Sequence, residues 1–149
     1  MIANLALATF MVGLTVIIHF IGLLALIWVL RARGHRFRAH ESAIGQGAAI
    51  VFVVLGLVVT HTIEIWLYGV LYYSLGALAD FESALYFSTT SFTTIGYGDV
   101  VLEKRWRLVG AVEGANGLLL FGWSTAFLIA VTARMRTLEH DWLEHPDRP

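Results

Sequence analysis

Two groups of residues in this chain combine types and spacing that could do chemistry. The first is the run Thr94-Ile95-Gly96-Tyr97-Gly98-Asp99, in which glycines alternate with bulkier residues. A Gly-Tyr-Gly alone would suit many turns. Glycine at 96 and 98 also permits backbone dihedrals of alternating sign without a Cβ penalty. The second group is a set of ionisable residues inside apolar runs: His61, Glu64 and Glu113. Such residues are costly at membrane depth and are read as functional by default. His61 and Glu64 stand three apart, hence on one helix face. They could pair with each other, or meet Glu113 or Trp123 across helices, and His61 could sense pH. A metal site would need about four ligands, with His19, Glu113 and Asn116 converging on the pair. A structural polar contact is the expectation carried forward.

The elements that must hold these residues follow from composition. Of the 149 residues, 58% are hydrophobic and 14% charged, and the mean hydropathy is +0.73. A soluble domain of this size needs a far larger polar fraction to cover its surface, so the chain is expected in a lipid bilayer. There is no cysteine, which excludes disulfides, thiol catalysis and Cys-ligated metal. Met1 to Leu30 contains no Asp, Glu, Lys or Arg. A bilayer core needs about 20 helical residues, so this run spans it. It lacks a basic start and a small-residue cleavage site, and is expected to be a retained helix rather than a signal peptide. Further apolar runs cover about Ala43 to Leu75 and Leu108 to Thr132.

Between the second and third runs, Phe81 to Ser91 reads as a short helix. Asp80 is its expected N-cap and Glu82 complements the positive end of its dipole. It is about half the length needed to cross a bilayer, so it must enter and return. Non-helical backbone at membrane depth is tolerated only where protein buries it or where it lines a watery path. The arginines at 31, 33, 36 and 38 and the pair Arg134 and Arg136 place the C-terminus in the cytoplasm and the N-terminus outside. Lys104, Arg105 and Arg107 then lie outside, a minority of the basic residues near helix ends. Trp66, Tyr68, Tyr72, Tyr73 and Trp106 read as interfacial anchors, and Leu138 to Pro149 as a helical extension that frays.

The segment Ser91-Phe92-Thr93-Thr94-Ile95-Gly96-Tyr97-Gly98-Asp99-Val100 resembles the pore signature of potassium channels, T-V/I-G-Y-G-D after a short pore helix. With its flanking spans it is similar to the two-helix-plus-pore-loop channels, over roughly Ala43 to Arg136. The resemblance implies an all-α membrane fold of three transmembrane helices plus a re-entrant pore helix and filter loop, assembled as a homotetramer around a central pore. On this reading residues 1–42 are an extra helix and an Arg-rich loop, 43–136 the pore domain, and 137–149 a short cytoplasmic tail. The implied function is passive, potassium-selective conduction in the cell (inner) membrane, with a non-selective monovalent cation channel of the same fold as the alternative. Potassium would be held by Thr94, Ile95, Gly96 and Tyr97, with Gly98 completing the filter and Asp99 attracting cations at the outer mouth. Carbonyl rings replace the hydration shell in such filters. Ile95 and Tyr97 would point away from the ions and pack on the pore helix.

The resemblance also implies roles for neighbouring residues. Gly117 falls at a common gating-hinge position, although Gly110, Gly114, Gly117 and Gly122 also suit close helix packing. Phe121 and Thr125 would stand near the inner cavity. Many such channels carry an acidic residue where this chain has Thr90. Glu113 is therefore expected behind the filter, bonded to Thr90 or a nearby backbone amide, with Thr90, Thr93 and Glu113 as filter support. No catalytic residue, cofactor other than potassium ions, nucleic-acid partner or soluble regulatory domain is expected. The first helix has no arginine ladder, which argues against voltage sensing of the usual kind.

Overall fold

The computed structural model describes residues 1–34 and 43–144. Four α-helices follow in order: α1 (Ile2–Gly34), α2 (Ala43–Ser74), α3 (Phe81–Phe92) and α4 (Arg107–Glu144), with no strand among the described residues. Stretches of α1, α2 and α4 are long and apolar enough to cross a membrane: Ile2–Ala32, Ile44–Ser74 and Arg107–Arg134. The protein is a multi-pass membrane protein. Arg36 and Arg38 of the basic loop, and the tail after 144, lie outside the described residues.

Each long helix buries a narrow stripe spaced by three and four residues. On α1 the stripe is Ala8, Met11, Thr15, His19, Leu23 and Leu26; on α2 it is Val53, Leu57, His61, Glu64, Tyr68 and Tyr72. On α4, Val109, Glu113, Asn116, Leu120 and Ser124 continue the pattern. The remaining faces carry exposed Phe, Ile, Leu and Val, which suits lipid or a neighbouring chain. α1 packs on both α2 and α4.

The interior is layered. At one end Ala8, Met11, Tyr72, Trp106 and Val109 share an apolar cluster, and Asn4 Nδ2 donates to the Arg105 carbonyl. The start of α1 therefore sits at the same end as the loop before α4. At the other end Leu23, Leu26, Val53 and Leu57 pack with Phe127, Leu128 and Val131. Between the clusters lies a polar layer: Thr15, His19, His61, Glu64, Asn116 and Ser124, all buried. Hydrocarbon offers no partners to such groups, so each must find one within the bundle. Asn116 Nδ2 accordingly donates to Thr15 Oγ1 at 2.7 Å and to Tyr68 Oη at 3.4 Å.

α3 is 12 residues long, about 18 Å at 1.5 Å per residue. Asp80 caps it as expected, Oδ1 accepting from Ser83 N at 2.8 Å. Its first residue, Phe81, packs edge-on to Trp66 and Tyr73, and its last, Phe92, meets His61. The helix thus runs antiparallel to α2 from the loop end to the polar layer. The tyrosines read as interfacial anchors divide: Tyr73 and Trp66 are exposed, while Tyr68, Tyr72 and Trp106 are buried. Tyr68 and Tyr72 lie on the α2 stripe that faces the bundle, which overrides their usual preference for the interface.

Candidate functional site

Backbone at the C-terminal end of α3 fixes where the following loop begins. Thr93 N and Oγ1 both donate to the Thr89 carbonyl, and Thr94 N donates to Ser91 O at 2.9 Å. Gly96 N then donates to the Thr90 carbonyl at 3.0 Å. Tyr86 Oη donates to Asp99 Oδ2 at 2.7 Å, and Val100 N to Asp99 Oδ1 at 3.0 Å. Successive anchors thus move back along α3, from Ser91 to Thr90 to Tyr86. The chain reverses at residues 93–94 and returns to the end from which α3 entered. The Tyr86 hydroxyl holds the Asp99 carboxyl below the usual carboxylate range, and Asp99 in turn pushes the Tyr86 phenol up.

The returning strand has an unusual backbone. Thr94, Gly96 and Gly98 have φ of +60°, +54° and +79°, and the residues between them do not share that sign. Left-handed φ is ordinary for glycine, but for the β-branched Thr94 it is an outlier of the kind held at functional sites, costing about 1–3 kcal/mol. Residues 94–99 are all exposed in the protomer. Ile95 and Tyr97, expected to pack on the pore helix, are 53% and 71% exposed in the single chain. A protomer leaves that packing to whatever covers this face.

Behind the loop, Glu113 is fully buried. Its Oε2 accepts from Tyr72 Oη at 2.6 Å, and its Oε1 accepts from Ser88 Oγ at 2.6 Å. The Ser88 hydroxyl also reaches the Ile65 carbonyl at 2.8 Å. Glu113 therefore joins α2, α3 and α4. The expected bond to Thr90 is not formed. Two residues along a helix turn by about 200°, so Thr90 faces away from Ser88; its hydroxyl bonds the Phe87 carbonyl of its own helix. What Thr90 contributes to the loop is its backbone carbonyl, and Thr93 contributes the α3 C-cap.

α4 crosses α3 on a stripe of glycines. A Cβ at Gly110 would stand 3.0 Å from the Phe87 ring, at Gly114 3.2 Å from the Ser91 carbonyl, and at Gly117 against the Phe92 carbonyl itself. Gly122, also read as a packing glycine, has nothing within 4 Å in the protomer. α4 is an unbroken helix through Gly117. Phe121, expected near the cavity, has its ring packed against His61 (4.3 Å) and Phe92 (5.8 Å), while Thr125 one turn on is exposed.

His61 and Glu64 do pair, His61 Nδ1 lying 2.9 Å from Glu64 Oε2. They do not meet Glu113, and Asn116 bonds elsewhere. Instead His19 joins them from α1, with Nδ1 3.0 Å from Glu64 Oε1. Ser124 completes the group from α4, its Oγ 2.9 Å from His61 Nε2 and 3.4 Å from His19 Nε2. Ser88, Thr15 and Ser124 were not singled out in the sequence, and Tyr72 was read only as an interfacial anchor. Their hydroxyls are common residue types, and the signal that marks them is that each falls on a buried stripe beside an ionisable or amide residue.

Comparison with curated proteins and with solved structures finds no match. The ion channel family model, a two-helix potassium-channel-type pore domain, matches residues 60–134. That stretch is half of the chain and takes in His61 to the end of α2, all of α3, the returning loop and the spanning part of α4. The family agrees with the three membrane-length helices and with a loop that enters and returns, and it is not an enzyme family. On this match and this architecture, the chain belongs to the ion channel family.

Proposed function

We propose that the chain is the subunit of a homotetrameric, potassium-selective channel whose filter is Thr94-Ile95-Gly96-Tyr97-Gly98. The observation that carries this reading is the alternation of left-handed φ at Thr94, Gly96 and Gly98. Alternating dihedrals can turn successive carbonyls toward one side, and four such strands around an axis stack rings of oxygen at short intervals. Carbonyls of Thr94, Ile95, Gly96 and Tyr97, with the Thr94 hydroxyl, would then replace the water around a potassium ion. The exposure of Ile95 and Tyr97 in the protomer supports assembly, since their apolar area is left for a neighbouring chain to cover.

The surrounding groups suit cation passage. The carbonyl end of α3 points at the Thr93–Thr94 turn and places partial negative charge there. Asp99, held ionised by Tyr86, attracts cations at the other end of the loop. Glu113 braces the loop through Ser88 and α3. Gly117 lets α4 cross close against the end of α3, and Thr125 faces the inner cavity. The basic clusters orient the N-terminus outside and the C-terminus in the cytoplasm of an inner-membrane protein.

The test is ion flux from liposomes holding purified protein, driven by potassium or sodium gradients with barium as blocker. Potassium-driven flux that barium stops is the expected result. Equal flux of both ions would replace this reading with a non-selective cation channel.

A further inference from the structure

The polar layer contains a second site that ion conduction through the loop does not use. His19, His61, Glu64 and Ser124 come from three helices and close a ring of four contacts between 2.9 and 3.4 Å. All four are buried, His19 and Glu64 completely. One donor atom from each of His19, His61 and Glu64 lies within 4.8 Å of the others. We propose that this ring binds a divalent transition-metal ion of the zinc class, ligated by His19, His61 and Glu64.

As a carboxylate Glu64 only accepts, so two neutral imidazoles each place their one hydrogen on Nδ1. Both Nε2 atoms are then acceptors, and both face Ser124 Oγ, which has a single hydrogen. Three hydrogens serve four contacts, and one contact sets lone pair against lone pair. With both imidazoles neutral, a buried carboxylate also stands there with no positive partner in a low-dielectric interior. The ring calls for one cation, either a metal ion or a proton on one imidazole.

A metal ion at the carboxylate side resolves both faults. Bound to the two Nδ1 atoms, it moves each imidazole hydrogen to Nε2. Both Nε2–H groups can then donate to the two lone pairs of Ser124 Oγ. This is the outer-shell arrangement usual for metal-bound histidine, in which the second ring nitrogen is fixed by an oxygen acceptor. The dimensions fit: tetrahedral zinc with bonds of about 2.0–2.1 Å needs donors roughly 3.3 Å apart. The Nδ1 to carboxylate distances are 3.0 Å to Oε1 and 2.9 Å to Oε2, and one donor from each of the three residues lies within 4.8 Å of the others, so the set closes on an ion by drawing inward. Two imidazoles and one carboxylate form a donor set used by zinc and by other first-row divalent ions, with a position left for water.

Such an ion would fasten α1 to the outer and inner helices. Ser124 is on α4, and the His61 ring lies 4.3 Å from that of Phe121 on the same helix. Occupancy would therefore be felt by the helix that passes behind the loop.

The test is metal binding to the full chain in detergent after a chelator wash, using zinc for stoichiometry and cobalt(II) for its visible tetrahedral spectrum. One equivalent per chain, lost in His19→Ala and His61→Ala and weakened at least ~10-fold in Glu64→Gln, is expected. The remaining histidines, His35, His40, His140 and His145, are all replaced in a second variant that leaves the ring intact. That variant should still bind one equivalent and show the cobalt bands, whatever the folding of the single variants. No bound metal, or binding lost in this second variant, would overturn the proposal and leave the ring to close on a proton.

Discussion

Tyr72 donates to Glu113 across 2.6 Å, and this one bond ties the outer helix α2 to the inner helix α4 behind α3. Both residues are fully buried, so neither can exchange its partner for water. Interhelical bonds in membrane proteins contribute about 0.6 kcal/mol on average and up to ~1.7 kcal/mol. A double-mutant cycle of Tyr72→Phe and Glu113→Gln should therefore give a coupling of about 0.5–1.5 kcal/mol in thermal or denaturant unfolding in detergent. Additive single effects would show that the pair is not coupled.

The placement of Glu113 on Ser88 rather than Thr90 yields a sharper contrast. Ser88→Ala removes a bond that reaches α2 and α4 together, whereas Thr90→Ala removes one within a helix turn. The serine variant should lose about 1–2 kcal/mol, and the threonine variant, which gives up a buried methyl group and a bond within its own helix, about 0.8 kcal/mol or less. Equal losses would return Thr90 to the supporting role first expected of it.

Glu113→Gln also tests whether the brace reaches the loop. The amide keeps one acceptor oxygen, so folding should survive while one of the two bonds weakens. Potassium flux is expected to change in rate, in selectivity over sodium, or in both. Flux that matches the parent in each respect and across pH would disconnect Glu113 from conduction.

At the loop's far end the pH dependence has a defined sign. The Tyr86 hydroxyl lowers the Asp99 pKa, so the bond contributes at pH above the ordinary carboxylate value and is lost as pH falls through the lowered one. Tyr86→Phe should move the Asp99 midpoint up, toward about 4. Carboxyl titration by NMR checks this directly, and flux should lose its acidic-side potassium attraction at a higher pH than in the parent. An unmoved midpoint would mean that the hydroxyl does not hold the carboxylate.

The spans, the short helix and its Asp80 cap are legible in the sequence because each depends on local quantities: apolar length, helix length and one side chain reaching three residues on. The left-handed backbone was legible at Gly96 and Gly98 but not at Thr94, since a β-branched residue takes that φ only when its surroundings impose it. Partners across helices were harder. His61 with Glu64 follows from a spacing of three, but His19 could join them only once α1 was packed against α2 and α4. Tyr72 looked like an interface residue by type; its register on the 61–64–68–72 stripe is what turns it inward to Glu113.

Gly117 offers the most direct mechanical test. An added methyl there meets the Phe92 carbonyl, which is backbone and cannot rotate away. Relief requires α4 to withdraw or the end of α3 to shift, and that end is tied to the loop through Thr90 O and Gly96 N at 3.0 Å. Gly117→Ala should therefore cost about 1–3 kcal/mol as an overpacking change and disturb ion selectivity through the displaced loop. Gly122 lies on the same helix with open space around it in the protomer. Gly122→Ala should be neutral or stabilising by up to ~1 kcal/mol, the helix-propensity difference. Unfolding midpoints of the two variants, read beside their potassium-to-sodium flux ratios, separate the cases. If Gly117→Ala behaves like Gly122→Ala in both measurements, the α3–α4 crossing has slack and the glycine stands there for bending rather than for contact.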